Sequence, residues 1–293
     1  MARVKSAHAP LGRGVIVLGM HRSGTSAVTG AIDALGLPAC RVEDRMPAQQ
    51  SNERGFYESR TLAAFDERLL NRLGGTWFVP PTLRGGWQNR RGLLETQAEA
   101  ASLFRDAHPF PSWVWKDPRA CVLMPFWDLV LGPDVPRIVV VRNPLEIAAS
   151  LKSRNQLPME LGLALSERHL RTSIRDSAMR PVLVTAYDEL FDDLPTWCSR
   201  ISDFLRSNGV AMPGSLGIDK AKTFLADELR HFRETNATAD FGVFDGLQRL
   251  WSWARDRVGA HGSLSIKGLP RESHQTEAVF RAVRTSVDQL ADA

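Results

Sequence analysis

The residues Gly19-Met20-His21-Arg22-Ser23-Gly24-Thr25-Ser26 follow four apolar residues, Val15, Ile16, Val17 and Leu18, and precede Ala27, Val28, Ile32, Ala34 and Leu35 at helical spacing. An apolar run that enters a glycine-bounded turn and leaves as a helix aims successive backbone N–H groups and a positive helix end at one point. Such a turn binds phosphate or sulfate without a metal. Gly19 and Gly24 have the spacing of the triphosphate-binding turn G-x-x-x-x-G-K-[ST], but Thr25 stands where that turn carries lysine. The cation lies inside the loop instead, as Arg22. Without the lysine the loop lacks its point charge on β- and γ-phosphates, which argues against ordinary ATP chemistry.

Three further segments bring chemistry to strand ends. The run Arg137-Ile138-Val139-Val140-Val141-Arg142-Asn143-Pro144 reads as a buried strand closing on arginine, with Asn143 as N-cap and Pro144 at the first helical position. Ser150 falls two turns into that helix. An arginine fork and a hydroxyl placed this way grip one phosphate from two sides. Trp113-Val114-Trp115-Lys116-Asp117-Pro118-Arg119 carries Lys116 to a strand terminus, where a cation can stabilise developing negative charge. Pro181-Val182-Leu183-Val184-Thr185-Ala186-Tyr187-Asp188-Glu189-Leu190 ends a fourth strand on Tyr187.

Taken together, these segments resemble the motifs of sulfotransferases that use 3′-phosphoadenosine 5′-phosphosulfate (PAPS) and release PAP. The resemblance implies that Arg22, Ser23, Gly24, Thr25 and Ser26 hold the 5′-phosphosulfate, with His21 orienting it. It implies that Arg142 and Ser150 contact the 3′-phosphate, that Tyr187 touches the adenine, and that Lys116 acts with Arg22 on the leaving oxygen. Arg119 either assists at the 3′-phosphate or pairs with Asp117. The stretch Asn52-Glu53-Arg54-Gly55-Phe56-Tyr57-Glu58 resembles the N-x-x-G-[FYW]-x-E element of bacterial and carbohydrate sulfotransferases, which makes Glu58 the expected base. Small-molecule sulfotransferases use histidine, so His108, near the Trp113 strand, is the rival.

The fold that the resemblance implies is α/β: a P-loop-like three-layer arrangement with a central parallel sheet flanked by helices. The acceptor expected is a hydroxyl on a glycan or glycoconjugate. The alternatives are a small-molecule hydroxyl, a nucleotide kinase with a degenerate phosphate loop, and a non-catalytic PAP-binding protein.

The elements that must position these groups follow from pattern. Ser59, Leu62, Phe65, Leu69 and Leu70 predict a helix starting just after Glu58, and residues 159–178 and 275–290 show helical stripes. His169, in the first of these, reads as part of a solvated face. Between the motif-bearing segments, residues 74–87 are rich in glycine, proline and tryptophan and read as an ordered, irregular loop. Trp77, Trp87 and Arg84 there are the candidate acceptor contacts, within an insertion at 37–112 expected to line the acceptor pocket. Residues 1–13 are expected to be a flexible terminus and 14–293 one domain.

With 43% hydrophobic content over 293 residues the chain can bury a sizeable core. Its net charge of +4, from 37 basic and 33 acidic residues, suits a cleft for an anionic donor. No basic run with aromatic interleaving points to nucleic acid, and no Cys/His cluster has metal-ligand spacing. Three scattered cysteines and no membrane-length apolar stretch predict a reducing, cytoplasmic setting. The sequence leaves the oligomeric state open.

Overall fold

Strand residues alternate between two apolar faces, which is why the sheet runs read as nearly continuous hydrophobic stretches. A computed structural model of the chain describes residues 11–47, 55–215, 217–228, 242 and 244–291. The basic segment at 1–10 and the motif residues Asn52, Glu53 and Arg54 lie outside the described residues.

In chain order the elements are β1 (Arg13–Leu18), α1 (Thr25–Ala34), α2 (Arg60–Arg72), α3 (Leu94–Ala107), β2 (Ser112–Lys116), α4 (Ala120–Leu131), β3 (Arg137–Val141), α5 (Pro144–Asn155) and α6 (Met159–Ser177). They continue with β4 (Val182–Ala186), α7 (Glu189–Asp192), α8 (Leu194–Ser207), α9 (Ile218–Glu228), α10 (Asp245–Arg255), β5 (Gly259–His261) and α11 (His274–Ala291). The sheet order is β2-β1-β3-β4-β5, and the first four strands are parallel. β5 pairs antiparallel with β4, so the expected central parallel sheet carries one short antiparallel strand at its edge. Three residues are too few to show the alternation by which a strand is recognised.

Val15, Val17, Val114, Ile138, Val140 and Leu183 face α1, α8 and α9, while Ile16, Leu18, Trp113, Trp115, Val139, Val141 and Val184 face α2, α3, α4 and α10. Covering both faces makes a three-layer, doubly wound molecule. On the second face Phe104, Trp113, Trp115 and Trp127 form a ring cluster with centroid separations of 4.6–6.1 Å. Such pairs contribute about 1 kcal/mol each beyond their burial.

A third apolar cluster joins Met20 of the loop after β1 to α5, α6 and Phe280 of α11, and so ties the loop region to the helical layer. Gly162 makes this packing close: a Cβ there would sit 2.7 Å from the Ala148 backbone, so α6 crosses directly over the helix that carries Ser150. His169 of α6, expected on a solvated face, is instead buried, with Nδ1 2.9 Å from the Leu165 carbonyl. Burial pushes its pKa down to about 4. α6 is covered on several sides, and the charged residues around His169 are spent on ion pairs such as Arg168 with Glu272.

Strand order reverses about β1, because the chain goes from β1 outward to β2 and then crosses back to β3. The crevice between the carboxyl ends of β1 and β3 is where such sheets bind ligands. No helix among the described residues is long and apolar enough to cross a membrane.

Candidate active site

The loop between β1 and α1 lies in that crevice. Two of its residues take left-handed backbone, Arg22 at φ 71° and Gly24 at φ 91°. Gly24 must be glycine for a second reason: a Cβ there would fall within the Tyr187 ring. Arg22 carries strain of order 1 kcal/mol, and the contacts its side chain and carbonyl make hold it in place. α1 begins with no side-chain cap and no acidic residue in its first turn, so its positive end is open to an anion. Ser23 Oγ is buried with no partner among the described residues. The Gly19 amide is already taken, donating to Cys121 Sγ at 3.1 Å.

Two arginines and Ser150 converge on this loop. Arg22 Nε donates to Ser150 Oγ at 2.7 Å. Arg142 Nη1 donates to the Arg22 carbonyl at 3.1 Å, and its Nε to Glu146 at 2.8 Å. Its guanidinium stands 4.4 Å from the centre of the Tyr187 ring. The local sequence explains the placement. Asn143 caps α5 by accepting from the Leu145 amide at 3.0 Å, and Pro144 occupies the first helical position. Arg142 is thereby fixed at the strand end and Ser150 on the helix face turned toward it. Residues from four separate segments thus meet around one loop.

Beside it lies a buried ion pair. Lys116 Nζ donates to Glu58 Oε1 at 2.5 Å and to Ser26 Oγ at 3.1 Å. The two charged side chains are only 1% and 6% exposed. Glu58 is pinned from both directions. Before it, the Phe56 carbonyl accepts from Ser26 Oγ at 3.2 Å and Tyr57 adopts φ 55°. After it, Ser59 caps α2 by accepting from the Leu62 amide at 3.0 Å, and its hydroxyl also bonds Asp44. The predicted helix therefore starts just past Glu58, which belongs to the segment leading into the cap. Burial raises the Glu58 pKa above the usual carboxylate range, with Asp117 adding to the effect and Lys116 opposing it. A raised pKa makes the ionised carboxylate a stronger proton acceptor than a solvated one.

The remaining candidates are dispersed. His21, in the loop, lies 4.7 Å from the Trp77 ring. Burial first, then nearby positive charge led by Arg119, lowers its pKa, so it is neutral at pH 7. Arg119 is bound to Glu67 at 2.8 Å and Asp117 at 3.1 Å, the second of its two predicted arrangements. Burial opposes its charge, but those carboxylates outweigh it and raise its pKa. His108 stacks on Phe104 at 4.5 Å and meets Trp113, at the opposite end of β2 from Lys116. Burial pushes it down to about 3. Trp87 is buried in the core, Trp77 is half-buried against the loop, and Arg84 is exposed.

Sequence reading passed over Arg154, whose guanidinium stands 4.8 Å from the Phe56 ring centre and whose charge is felt at both Glu58 and His21. Its spacing, one turn beyond Ser150 on α5, was the available signal. It also passed over Glu67, which α2 brings to Arg119, and the buried Asp66, which accepts from Trp127.

The site as a whole is a set of strand-end arginines and an uncapped helix start in a doubly wound α/β protein, with a cation and a carboxylate facing each other at its edge. Among solved structures, the chain is similar to the sulfotransferase domain of the olefin synthase of Synechococcus PCC 7002, at 18% identity and TM-score 0.47, over 86% of this chain and 98% of that one. It is similar to a sulfotransferase of Mycobacterium tuberculosis at 18% identity and TM-score 0.39, over 85% of this chain and 76% of that one. It is also similar to the sulfotransferase domain of the curacin biosynthetic pathway at 12% identity and TM-score 0.44, over 94% and 99%. The sequence matches no protein-family model and no curated relative.

Proposed function

We propose that the chain is a PAPS-dependent sulfotransferase that moves a sulfuryl group onto a hydroxyl of a glycan or glycoconjugate and releases PAP. The observation that carries this reading is the Lys116 ammonium, which bridges Ser26 of the anion loop and the buried Glu58. A base and a cation facing each other at the mouth of an anion loop suit transfer of an anionic group to a hydroxyl.

The residues fit the donor. The open N-terminus of α1, with Ser23, Thr25 and Ser26, suits the 5′-phosphosulfate, and the Ser23 hydroxyl, unpartnered among the described residues, suits one of its oxygens. Arg142 and Ser150 suit the 3′-phosphate, and Tyr187, packed on Gly24, suits the adenine. PAPS supplies an activated sulfate. As the acceptor oxygen bonds to sulfur, the bond from sulfur to the bridging phosphate oxygen breaks, and PAP leaves with that electron pair. Glu58 takes the hydroxyl proton. Arg22 and Lys116 neutralise the charge growing on the leaving oxygen.

Residues 37–112 supply the acceptor side in this reading. Trp77, half-buried against His21, is its stacking surface, Arg84 stands at its exposed rim, and Trp87 supports it from the core. Three buried free cysteines suit a reducing cytoplasm. The test is calorimetry of PAP and ATP, each with and without Mg²⁺, followed by labelled-sulfate transfer from PAPS to a panel of glycans and small alcohols. Metal-independent PAP binding and labelled glycan are expected. Mg²⁺-dependent ATP binding with hydrolysis would establish a kinase instead, and PAP binding without transfer to any hydroxyl a non-catalytic binder.

A further inference from the structure

Glu58 reaches Lys116 through a backbone turn that carries strain. Gly55 and Tyr57 both take left-handed backbone, at φ 84° and φ 55°. On a bulky aromatic residue that conformation is an outlier, and it persists only where the surroundings hold it in place. The two reversals send three successive side chains to three different elements. Phe56 goes to α5, where the Arg154 guanidinium stands 4.8 Å from its ring centre. Tyr57 goes to the cluster formed by α1, α8 and α9, and Glu58 goes to Lys116 at the end of β2. What holds Tyr57 is its ring. Gly30 of α1 gives it room, since a Cβ there would sit 2.9 Å from Tyr57 Cε2 and 2.3 Å from Phe224 Cζ. Phe224 of α9 meets the Tyr57 ring edge-on at 5.7 Å. The Arg45 guanidinium, bound to Asp33 of α1 at 2.9 Å, stands 5.0 Å from the ring centre. The backbone on either side is bonded too: the Phe56 carbonyl accepts from Ser26 Oγ at 3.2 Å and the Glu58 carbonyl from the Met46 amide at 2.8 Å.

We propose that Tyr57 is a positioning residue for the base: its ring, seated against Gly30 and Phe224, pins the left-handed turn that aims the Glu58 carboxylate at Lys116. Rotating that one dihedral redirects the residue after it, so an ordinary negative φ at Tyr57 turns Glu58 away from the ammonium. The seat of the ring lies on the same helix as the anion loop. Gly30 follows Thr25, the first residue of α1, by about one and a half turns. α1 therefore holds both halves of the site in one rigid piece, with the anion loop at its start and the support of the base further along.

The effect on turnover rests on the proposed transfer; the aiming of Glu58 does not, and the two are tested separately. Thermal melts of Lys116→Met, Glu58→Gln and their double variant measure the coupling of the pair with no substrate present. In a Tyr57→Ala or Tyr57→Gly background that coupling is expected to fall by about half or more, whereas Tyr57→Phe, which keeps the ring, retains it. Undiminished coupling without the ring would overturn the proposal, whatever the chain's activity. In labelled-sulfate transfer, Tyr57→Phe is expected to keep kcat within about threefold. Tyr57→Gly, which tolerates the turn without enforcing it, is expected to lose about tenfold, and Tyr57→Ala more, each with donor KM unchanged. Gly30→Ala, whose added methyl displaces both rings, is expected to lower kcat in the same way while circular dichroism and PAP affinity stay as in the wild type. Tyr57→Phe as damaging as Tyr57→Gly, or losses that fall on donor KM and PAP affinity rather than on kcat, would overturn the positioning role. A wild-type chain that sulfates no acceptor would refute the transfer, and the melts would still decide what Tyr57 does.

Discussion

The Lys116–Glu58 pair makes the sharpest quantitative test, through Lys116→Met. Both side chains are almost wholly buried and 2.5 Å apart, so removing the cation leaves an uncompensated carboxylate inside the protein. Breaking such a pair costs about 3–5 kcal/mol, which for a chain of this size lowers Tm by roughly 5–8 °C. The loss must depend on pH. Glu58 already has a raised pKa in the folded protein, and without Lys116 it rises further. A folded-state carboxylate pKa above its unfolded value means the folded form binds the extra proton. The variant is therefore closest to wild type below the ordinary carboxylate range, and its deficit grows as pH climbs toward the folded pKa. Adding Glu58→Gln removes the stranded charge and should restore most of the lost stability while transfer stays abolished. Thermal melts from acid to neutral pH on the two single variants and the double variant complete the cycle. A Lys116→Met loss below about 1 kcal/mol, flat with pH and unrelieved by Glu58→Gln, would match an exposed pair and refute the reasoning.

Other outcomes follow from the same site. Arg142→Ala should weaken PAP binding about 10–100-fold, the worth of charge-assisted bonds to a phosphate, and calorimetry measures it. Glu58→Gln should keep PAP affinity but lose about 10²–10⁴-fold in labelled-sulfate transfer. In the wild type, the acid limb of kcat/KM should fall above the usual carboxylate range, since Glu58 must be ionised to accept a proton and burial raises its pKa. Gly24→Ala should abolish PAP binding, because the added methyl meets Tyr187 at a left-handed φ of 91°; circular dichroism separates this from global unfolding.

The motif-bearing strands were legible because each apolar run ends on a residue whose type marks the boundary. Arg142, Asn143 and Pro144 announce the end of β3 and the cap of α5 in order, and the structure has both. Lys116 was visible as a strand-end cation, but its pairing with Glu58 was not, since it joins residues 58 positions apart in the chain. The aromatic loop was half legible. Tryptophan content shows that a segment is ordered without showing where each ring goes, and Trp77 reached the anion loop while Trp87 went into the core. His169 looked solvated because its neighbours are charged, yet those charges are consumed in pairs with α11 and the segment before it. β5 and α3 carry neither cap nor alternation strong enough to declare them.

The Lys116 ammonium touches the anion loop and the carboxylate at once. While it is held by Glu58, neither is at full strength, because the carboxylate is neutralised and the cation is engaged. An incoming anion at the loop competes for Lys116 and, in taking it, frees Glu58. Under the proposed reaction the chain should therefore obey compulsory-order kinetics in which the sulfate donor enters first and the hydroxyl compound second.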